Sequence, residues 1–192
     1  MHAIIREGRR CVLAHMQEEY LGLHTDYMND PEVNKFITSR PPFHVEQQRE
    51  WFKKHQEMGN YVFAVLARDG KDDNGLIFIG VMDFRDVDRS KWTAHSASVI
   101  GNKLYWRRGI AREARLLQLK IGFDELGFAY IYSETVGLNV RSQRLLESTG
   151  YELIGVRQGI RMVEGTMHDE LLYRVSRIQW LPHWERYSLL QE

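Results

Sequence analysis

The 192-residue chain has little cysteine, few long apolar runs and no excess of charge. Its single cysteine, Cys11, excludes an intrachain disulfide and is typical of a reducing compartment, so we expect a cytoplasmic location. The longest apolar runs, around Val62–Ala67 and Leu76–Met82, are far shorter than the ~20 residues that span a bilayer. The N-terminus also lacks the apolar region of a secretory signal. We therefore expect no membrane contact.

Charge and length narrow the class of protein further. The 26 Lys and Arg residues balance the 26 Asp and Glu residues, which argues against nucleic-acid binding driven by a basic excess. A chain of 192 residues with 43% hydrophobic residues is long enough to bury one core without disulfides or metals. These values are typical of a soluble globular domain.

Hydrophobic periodicity predicts eight strands and four helices in the order β-β-α-α-β-β-β-α-β-α-β-β. The predicted strands are Ala3–Ile5, Arg10–Leu13, Tyr61–Leu66, Leu76–Met82, Thr93–Gly101, Ala129–Val136, Tyr151–Val156 and His168–Val175. The predicted helices are Gln17–Met28, Val45–Met58, Gly109–Leu126 and Asn139–Thr149, with loops at Arg40–Pro42 and Arg68–Gly75. The crossover from Thr93–Gly101 through a helix to Ala129–Val136 implies one parallel strand pair in a largely antiparallel sheet. We expect a mixed α/β fold, because the repeated βα units of a doubly wound fold are absent.

The most informative segment joins a predicted strand to the longest predicted helix. Its turn is rich in Arg and Gly, and a helix N-terminus carries unpaired N–H groups and partial positive charge, which suit an anion. Gly109 allows close approach of a ligand to the backbone. The segment predicts a site for a phosphate-bearing ligand, and the alternative is an ordinary helix start with solvated arginines. It has neither the Lys-Ser/Thr of a P-loop nor the three glycines of a dinucleotide fingerprint.

The same segment resembles the cofactor signature of the GNAT acyltransferase superfamily. That signature is Gln or Arg, two residues of any type, Gly, any residue, then Gly or Ala; Gly109 and Ala111 match it, and Trp106 departs from its first position. Tyr105–Ala111 is similar to the Tyr-Trp-Gly-Lys-Gly-Ile-Ala form of the branch that resembles ribosomal-protein N-terminal (alanine) acetyltransferases. The resemblance continues in Met28–Val33, in Asn139–Tyr151 and in the residues around Glu164–Asp169. It covers roughly residues 10–181.

The resemblance implies a GNAT domain over residues 1–181, a C-terminal extension over residues 182–192, and acetyl-CoA as co-substrate. In this superfamily the parallel strands splay apart and the thioester lies in the gap. The tail either packs on the domain or covers an apolar patch shared with a second copy, as in a homodimer. The residues that match the cofactor contacts are Val99, Ile100, Gly101, Arg107, Arg108, Gly109, Ile110, Ala111, Arg112, Asn139 and Ser142.

Acyl transfer to an amine requires a base, a donor to the oxyanion and a route for the thiolate to leave. His95 stands where relatives often place a catalytic Glu, and a neutral imidazole is available near pH 7. The alternative is a strand-edge histidine that only hydrogen-bonds. Leu146 occupies the position of the acid Tyr of many relatives, and Ser142 matches a serine given that role in some. Ser142 could equally cap the helix or contact the cofactor.

Two acidic clusters lie outside this segment. Asp30 and Glu32 border the acceptor cleft in similar proteins, so they either receive a cationic amine or cap the following turn. The run His168-Asp169-Glu170 places consecutive side chains on opposite faces of a strand, and we expect no metal there.

Together these residues predict an acetyl-CoA-dependent N-acetyltransferase that transfers an acetyl group to a primary amine by direct attack in a ternary complex. A protein N-terminus and a small amine, such as a polyamine, amino sugar or aminoglycoside, are both candidate acceptors. A non-catalytic acyl-CoA-binding module is the alternative from another class. RNA binding by the arginines of 107–115 is disfavoured by the balanced charge.

Overall fold

The computed structural model describes residues 3–37, 41–68 and 75–189. Eight strands form one sheet in the order β1-β2-β3-β4-β5-β6-β8-β7, and only β5 and β6 are parallel. The strands are β1 Ile4–Glu7, β2 Cys11–His15, β3 Tyr61–Arg68, β4 Leu76–Asp88, β5 Thr93–Ile100, β6 Tyr130–Val136, β7 Glu152–Val163 and β8 Thr166–Ser176. The helices are α1 Leu21–Asn29, α2 Pro31–Asn34, α3 Val45–Glu57, α4 Ile110–Lys120, α5 Val140–Glu147 and α6 Arg177–Leu189.

This arrangement confirms the predicted mixed α/β fold and the order of its strands. The structure adds two helices, α2 and α6, and extends β4 from Met82 to Asp88. The extension was not predicted because charged residues follow Met82, yet Asp83 and Arg85 pair with Ala97 and His95 of β5 and keep the ladder intact. Residue 40 of one predicted loop and residues 69–74 of the other lie outside the described residues.

The long central helix ends differently from the prediction. Regular α-helix stops at Lys120, and Ile121–Glu125 continues as a π-helical turn in which the amide of Leu126 donates to the carbonyl of Ile121 at 2.9 Å. Gly127 then follows with φ +70°, the left-handed conformation that suits glycine after a helix.

Helices cover both faces of the sheet. One apolar cluster joins α4 and α6 to one sheet face, and it includes Leu117, Trp180 and Phe84. A second cluster joins α1 and α3 to the opposite face through Leu21 and Phe52. We call these the α4 face and the α3 face of the sheet. Because side chains alternate along a strand, β2, β3 and β4 each contribute residues to both clusters.

Helix α6 passes through the expected boundary between residues 181 and 182. Trp180 is fully buried in the larger cluster, and Tyr187 near the end of the helix is also buried there. The described part of the tail therefore packs on the domain. None of the described helices is long and apolar enough to cross a membrane.

The parallel pair is short and then splays apart. Residues 93–95 of β5 pair with residues 130–132 of β6, and no further ladder joins the two strands in the described structure. Side chains bridge the start of the opening: the Ser96 hydroxyl donates to the carbonyl of Tyr132 at 3.2 Å, and the Ser133 hydroxyl donates to the carbonyl of Ser96 at 3.0 Å. We call the space between β5 and β6 beyond these bridges the strand gap.

Candidate active site

A large cavity includes the strand gap and has a volume of about 1530 Å³. It extends from the start of α4 and α5 to a region between α1, α3 and the β7–β8 hairpin. Ligand pockets commonly have volumes of about 300–1,000 Å³, so this cavity has room for a cofactor and an acceptor together.

The beginning of α4 forms one end of this cavity. Gly109 adopts φ +75° and precedes the helix without a side-chain cap, which leaves the first amide N–H groups to other partners. Arg107, Gly109, Ala111 and Arg112 line the cavity. The side chain of Ile110 is buried in the core, so only its backbone is in a position to contact a ligand.

Two aromatic residues before α4 organise the arginines of this turn. The indole Nε1 of Trp106 donates to the carbonyl of Ile100 at 2.7 Å, and the guanidinium of Arg141 lies 4.3 Å from the Trp106 ring centroid. Arg108 instead lies over the ring of Tyr105 at 5.2 Å. Trp106 therefore ties the turn to the end of β5, a contact that the departure from the family signature makes possible.

Strand β5 presents its backbone alternately to β4 and to the strand gap. The amide of Gly101 donates to Ile79 of β4 at 2.8 Å, and that of Ala97 donates to the Asp83 carboxylate at 3.2 Å. Since backbone groups alternate in direction along a strand, the amides of Ser98 and Ile100 face the gap. Val99 and Gly101, both predicted contacts, turn their amides towards β4.

The start of α5 faces the same space. The Asn139 side-chain oxygen accepts from the amide of Ser142 at 3.1 Å and caps the helix, and both side chains line the cavity. The amide nitrogen of the Asn139 side chain is the group left to contact a ligand. Leu146, at the position of the family tyrosine, is buried in the core.

His95 forms an ion pair with Glu134 on the α3 face, where β5 and β6 separate. The Nδ1 atom of His95 lies 2.7 Å from the Glu134 carboxylate, and its ring stacks on Tyr132. The hydrogen bond from Glu134 raises the pKa of His95 above its usual value, although burial acts in the opposite direction. Glu134 also lies 3.7 Å from Arg85, and it lines the cavity. A neutral His95 that donates through Nδ1 keeps Nε2 as its proton-accepting atom.

Burial affects a second carboxyl group beside this pair. Asp83 is only 8% exposed, and burial raises its pKa, with Arg85 as the first of the cations that oppose the rise. Its side chain is on the same sheet face as His95, because Arg85, two residues along β4, is paired with His95.

Asp30 and Glu32 are held by a lysine. The Nζ atom of Lys103 lies 2.7 Å from the Asp30 carboxylate and 2.5 Å from that of Glu32. Asp30 also caps α2 by accepting from the amide of Glu32 at 2.9 Å. Glu32 lines the cavity, so a cationic acceptor would compete with Lys103 for it.

Sequence reasoning did not identify Glu134 or Arg115 as site residues. Glu134 could have been found from the parallel register, since it lies two residues beyond Tyr132, the partner of His95, and therefore on the same face. Arg115 carried no such signal, because it follows three other arginines in a segment interpreted as a basic turn and helix. Within the described residues, no group of His, Cys, Asp and Glu side chains is arranged to hold a metal.

Comparisons with known proteins agree with this geometry. Residues 10–152 match the acetyltransferase (GNAT) domain family. The uncharacterized N-acetyltransferase p20 of Bacillus licheniformis is 22% identical over 175 residues, which cover 89% of this chain and 95% of that protein. A second relative is the SPbeta prophage-derived uncharacterized N-acetyltransferase YokL of Bacillus subtilis, at 23% identity over 88% of this chain and 92% of that protein.

Solved structures share the fold across nearly the whole chain. A GCN5-related N-acetyltransferase from Brucella melitensis superposes with a TM-score of 0.77 at 21% identity, covering 98% of this chain and 86% of that one. Spermidine N-acetyltransferase from Vibrio cholerae, in complex with CoA and spermine, gives a TM-score of 0.80 at 17% identity, covering 90% of this chain and 98% of that one. The family match, the splayed strand pair and the helix start beside it together show that this chain belongs to the GNAT family and is an N-acetyltransferase.

Proposed function

We propose that the protein transfers an acetyl group from acetyl-CoA to a primary amine by direct attack in a ternary complex. The observation that carries the proposal is the place of the His95–Glu134 pair, which is at the point where β5 and β6 separate. His95 itself does not line the cavity, but its partner Glu134 does, so a base at this point is beside the space for an amine on the α3 face while the thioester occupies the strand gap. The residues at the start of α4 fit acetyl-CoA, because the uncapped backbone amides and the arginines beside them suit the phosphates of CoA.

Each residue of the site has a role in the proposed reaction. His95 accepts the proton of the attacking amine at Nε2, and Glu134 stabilises the imidazolium that forms. The gap-facing amide of Ser98 or Ile100 donates to the thioester oxygen, and the other pairs with the pantetheine arm. Asn139 and Ser142 contact the same arm from the start of α5. A dedicated acid is dispensable, since a thiolate whose conjugate acid has a pKa of about 8.5 leaves readily.

We propose that the α-amine of a peptide or protein N-terminus is the preferred acceptor. An α-amine has a pKa of about 8, so His95 with its raised pKa can deprotonate it more readily than an alkyl amine of pKa about 10. This acceptor is also the one implied by the ribosomal-protein alanine acetyltransferase-like branch that the sequence resembles.

The charge of the cavity supports the same choice over a polyamine. Glu134 is paired with His95, and Glu32 is paired with Lys103. Cations predominate in the lining as a whole, which holds Glu32, Asp83 and Glu134 against Lys35, Arg85, Arg107, Arg112, Arg115, Arg141, Arg144 and Arg161. A spermidine-like polycation would be repelled by such a lining.

A thiol-release assay with acetyl-CoA tests this function. The acceptors are a short peptide with a free N-terminus, the same peptide with a blocked N-terminus and one lysine, and spermidine. We expect thiol release with the free N-terminus and little with the other two. Release with spermidine alone would overturn the acceptor, and tight CoA binding without release by any amine would favour a non-catalytic module.

A further inference from the structure

The α4 side of the strand gap is built from polar side chains. Arg115 and Gln118 of α4 are 2% and 0% exposed, although they lie in a helix that packs on the sheet. Arg115 contacts the Ser98 hydroxyl of β5 and the ring of Tyr151. The Tyr151 hydroxyl is hydrogen-bonded to that of Ser96, and the Ser133 hydroxyl of β6 donates to the Ser96 carbonyl. Buried helix positions that pack on a sheet usually hold apolar residues. The polar side chains of this layer therefore need a physical explanation.

Arg115 is the centre of this layer. Its Nη2 donates to the Ser98 hydroxyl at 2.9 Å, and its Nη1 donates to the Gln118 side-chain oxygen at 2.9 Å. Gln118 in turn donates to the carbonyl of Asp83 at 2.7 Å, and the guanidinium lies 5.9 Å from the Tyr151 ring centroid. The position of the guanidinium is therefore fixed by β5 and by its own helix.

Among residues 3–37, 41–68 and 75–189, no carboxylate forms an ion pair with Arg115, and its buried Nε has no hydrogen-bond partner. Arg115 opposes the rise in the pKa of the buried Asp83 carboxyl, so it acts on that group electrostatically, but the two side chains are not in ion-pair contact. A buried guanidinium without a counter-ion opposes folding, because hydrogen bonds to neutral groups only partly replace its hydration. Retaining the charge is understandable if an anionic ligand supplies the missing partner.

The location of Arg115 indicates which part of a bound ligand would face its guanidinium. Arg115, Ser98, Ser133 and Thr135 line the cavity on the α4 side of the strand gap, whereas Glu134 lines it on the α3 side. An acyl group held in the gap therefore meets a cation and three hydroxyls, while the methyl of an acetyl group would gain more from apolar neighbours. Under the proposed function, the phosphates of the cofactor bind elsewhere, at the uncapped start of α4.

We propose that this layer is a subsite for an acyl group with a terminal carboxylate, so that the enzyme takes carboxyacyl-CoA donors such as succinyl-CoA. This inference rests on the proposed function, since it assumes that the thioester occupies the strand gap. In the reaction, the amide C–N bond forms and the thioester C–S bond breaks. The amine proton passes to His95, CoA leaves as the thiolate, and the carboxylate remains paired with Arg115 without reacting.

Calorimetry with three CoA thioesters tests the subsite without knowledge of the acceptor. Succinyl-CoA and butyryl-CoA have acyl chains of equal carbon number and differ in the carboxylate, and acetyl-CoA reports binding of the common part. We expect succinyl-CoA to bind about 10- to 100-fold more tightly than butyryl-CoA, the range expected for a hydrogen bond to a charged group. Equal affinities in the wild-type protein would overturn the inference.

Two variants separate the charge from the packing. Arg115→Met should abolish the preference for succinyl-CoA and still bind acetyl-CoA, whereas Leu119→Met, at a fully buried apolar position of the same helix, should keep the preference. A preference that survives in Arg115→Met would overturn the subsite, and the wild-type comparison decides the matter if that variant fails to fold. If none of the three thioesters binds, the proposed function itself fails; if all three bind equally, only the subsite fails.

Discussion

His95 and Glu134 come together because the parallel register of β5 and β6 aligns them on one face of the sheet just before the strands part. Their contact joins Nδ1 of the imidazole to the carboxylate at 2.7 Å and so fixes the tautomer of the neutral ring. The same contact raises the pKa of His95 and contributes to lowering that of Glu134. Glu134 is thus a positioning residue, since it acts on the reaction through His95.

The pH dependence of Glu134→Gln tests that role. The base must be neutral, so the raised pKa of His95 sets the acidic limb of kcat/KM. Removing the charge of Glu134 should move this limb to lower pH, and kcat on the plateau should fall, because the imidazolium loses its stabilising partner. The pH profile of thiol release measures both effects. An acidic limb that does not move would show that His95 is not the base.

The same pair makes folding stability depend on pH. The pKa of His95 is raised in the folded state, so its contribution is fully present below the unfolded pKa of about 6.5 and is lost as pH rises through the folded value. The pKa of Glu134 is lowered, so its contribution is lost as pH falls through its own folded value. Urea unfolding of wild type and His95→Gln should therefore differ most between these two values. A constant difference from pH 4 to pH 9 would contradict this coupling.

Only one member of this pair was identified from the sequence. His95 was identified by its place before Ile100 and Gly101, whereas Glu134 lies 39 positions away and required the register of two strands. Arg115 was considered only as one of the arginines of 107–115, because its burial depends on partners from β5 and beyond α5. A sequence pattern does not show which residues that are distant in sequence contact each other in the fold.

Helix α4 begins at the proposed anion site, and its core-facing residues hold that end in place. Glu113, 4% exposed, accepts from the amides of Arg10 and Cys11 of the neighbouring β-hairpin at 2.6 and 3.1 Å. This contact anchors the first turn of α4 to β2. The amides that face the cavity are consequently held by a rigid element and not by a loop.

Ala111→Glu tests whether these amides bind the diphosphate. Ala111 is within the first turn of α4, so the substitution avoids the left-handed backbone of Gly109 and puts a carboxylate into the cavity. We expect acetyl-CoA affinity to fall at least about tenfold, because the new charge repels the phosphates. Calorimetry measures this change. Leu104→Glu, at a side chain that is 75% exposed, is the control and should bind acetyl-CoA normally. Equal affinity in the two variants would mean that the diphosphate binds elsewhere.

The element order was predictable because the strands and helices differ in hydrophobic period, and each period matches the face that the element buries. Helix α6 was not predictable from the sequence, because it contains Pro182 and its aromatic residues are spread over much of its surface. Its structure depends on the cluster of Phe123, Trp180 and Trp184, whose rings are 5.4 and 5.7 Å apart.

The core of the molecule depends on α6, the last helix of the chain. Trp180 is 0% exposed and packs with residues of α4 and the sheet. We expect Trp180→Ala to lower the free energy of unfolding by about 3–5 kcal/mol, the usual cost of emptying a buried aromatic site. Urea unfolding measures it. Ile178→Ala, at a side chain that is 84% exposed, should change stability by less than about 0.5 kcal/mol; similar losses in both variants would mean that α6 is not part of the core.

The dependence of the core on α6 affects how the chain folds during its synthesis on the ribosome. Strands β1 to β5 emerge first, yet the indole that fills their core belongs to a residue translated some 80 positions after β5 ends. At synthesis rates of about 5–20 residues per second, the early strands wait several seconds for the indole that completes their core. Chaperones that bind exposed apolar surface should therefore associate with nascent chains that have completed β5 and should release them once α6 has left the exit tunnel.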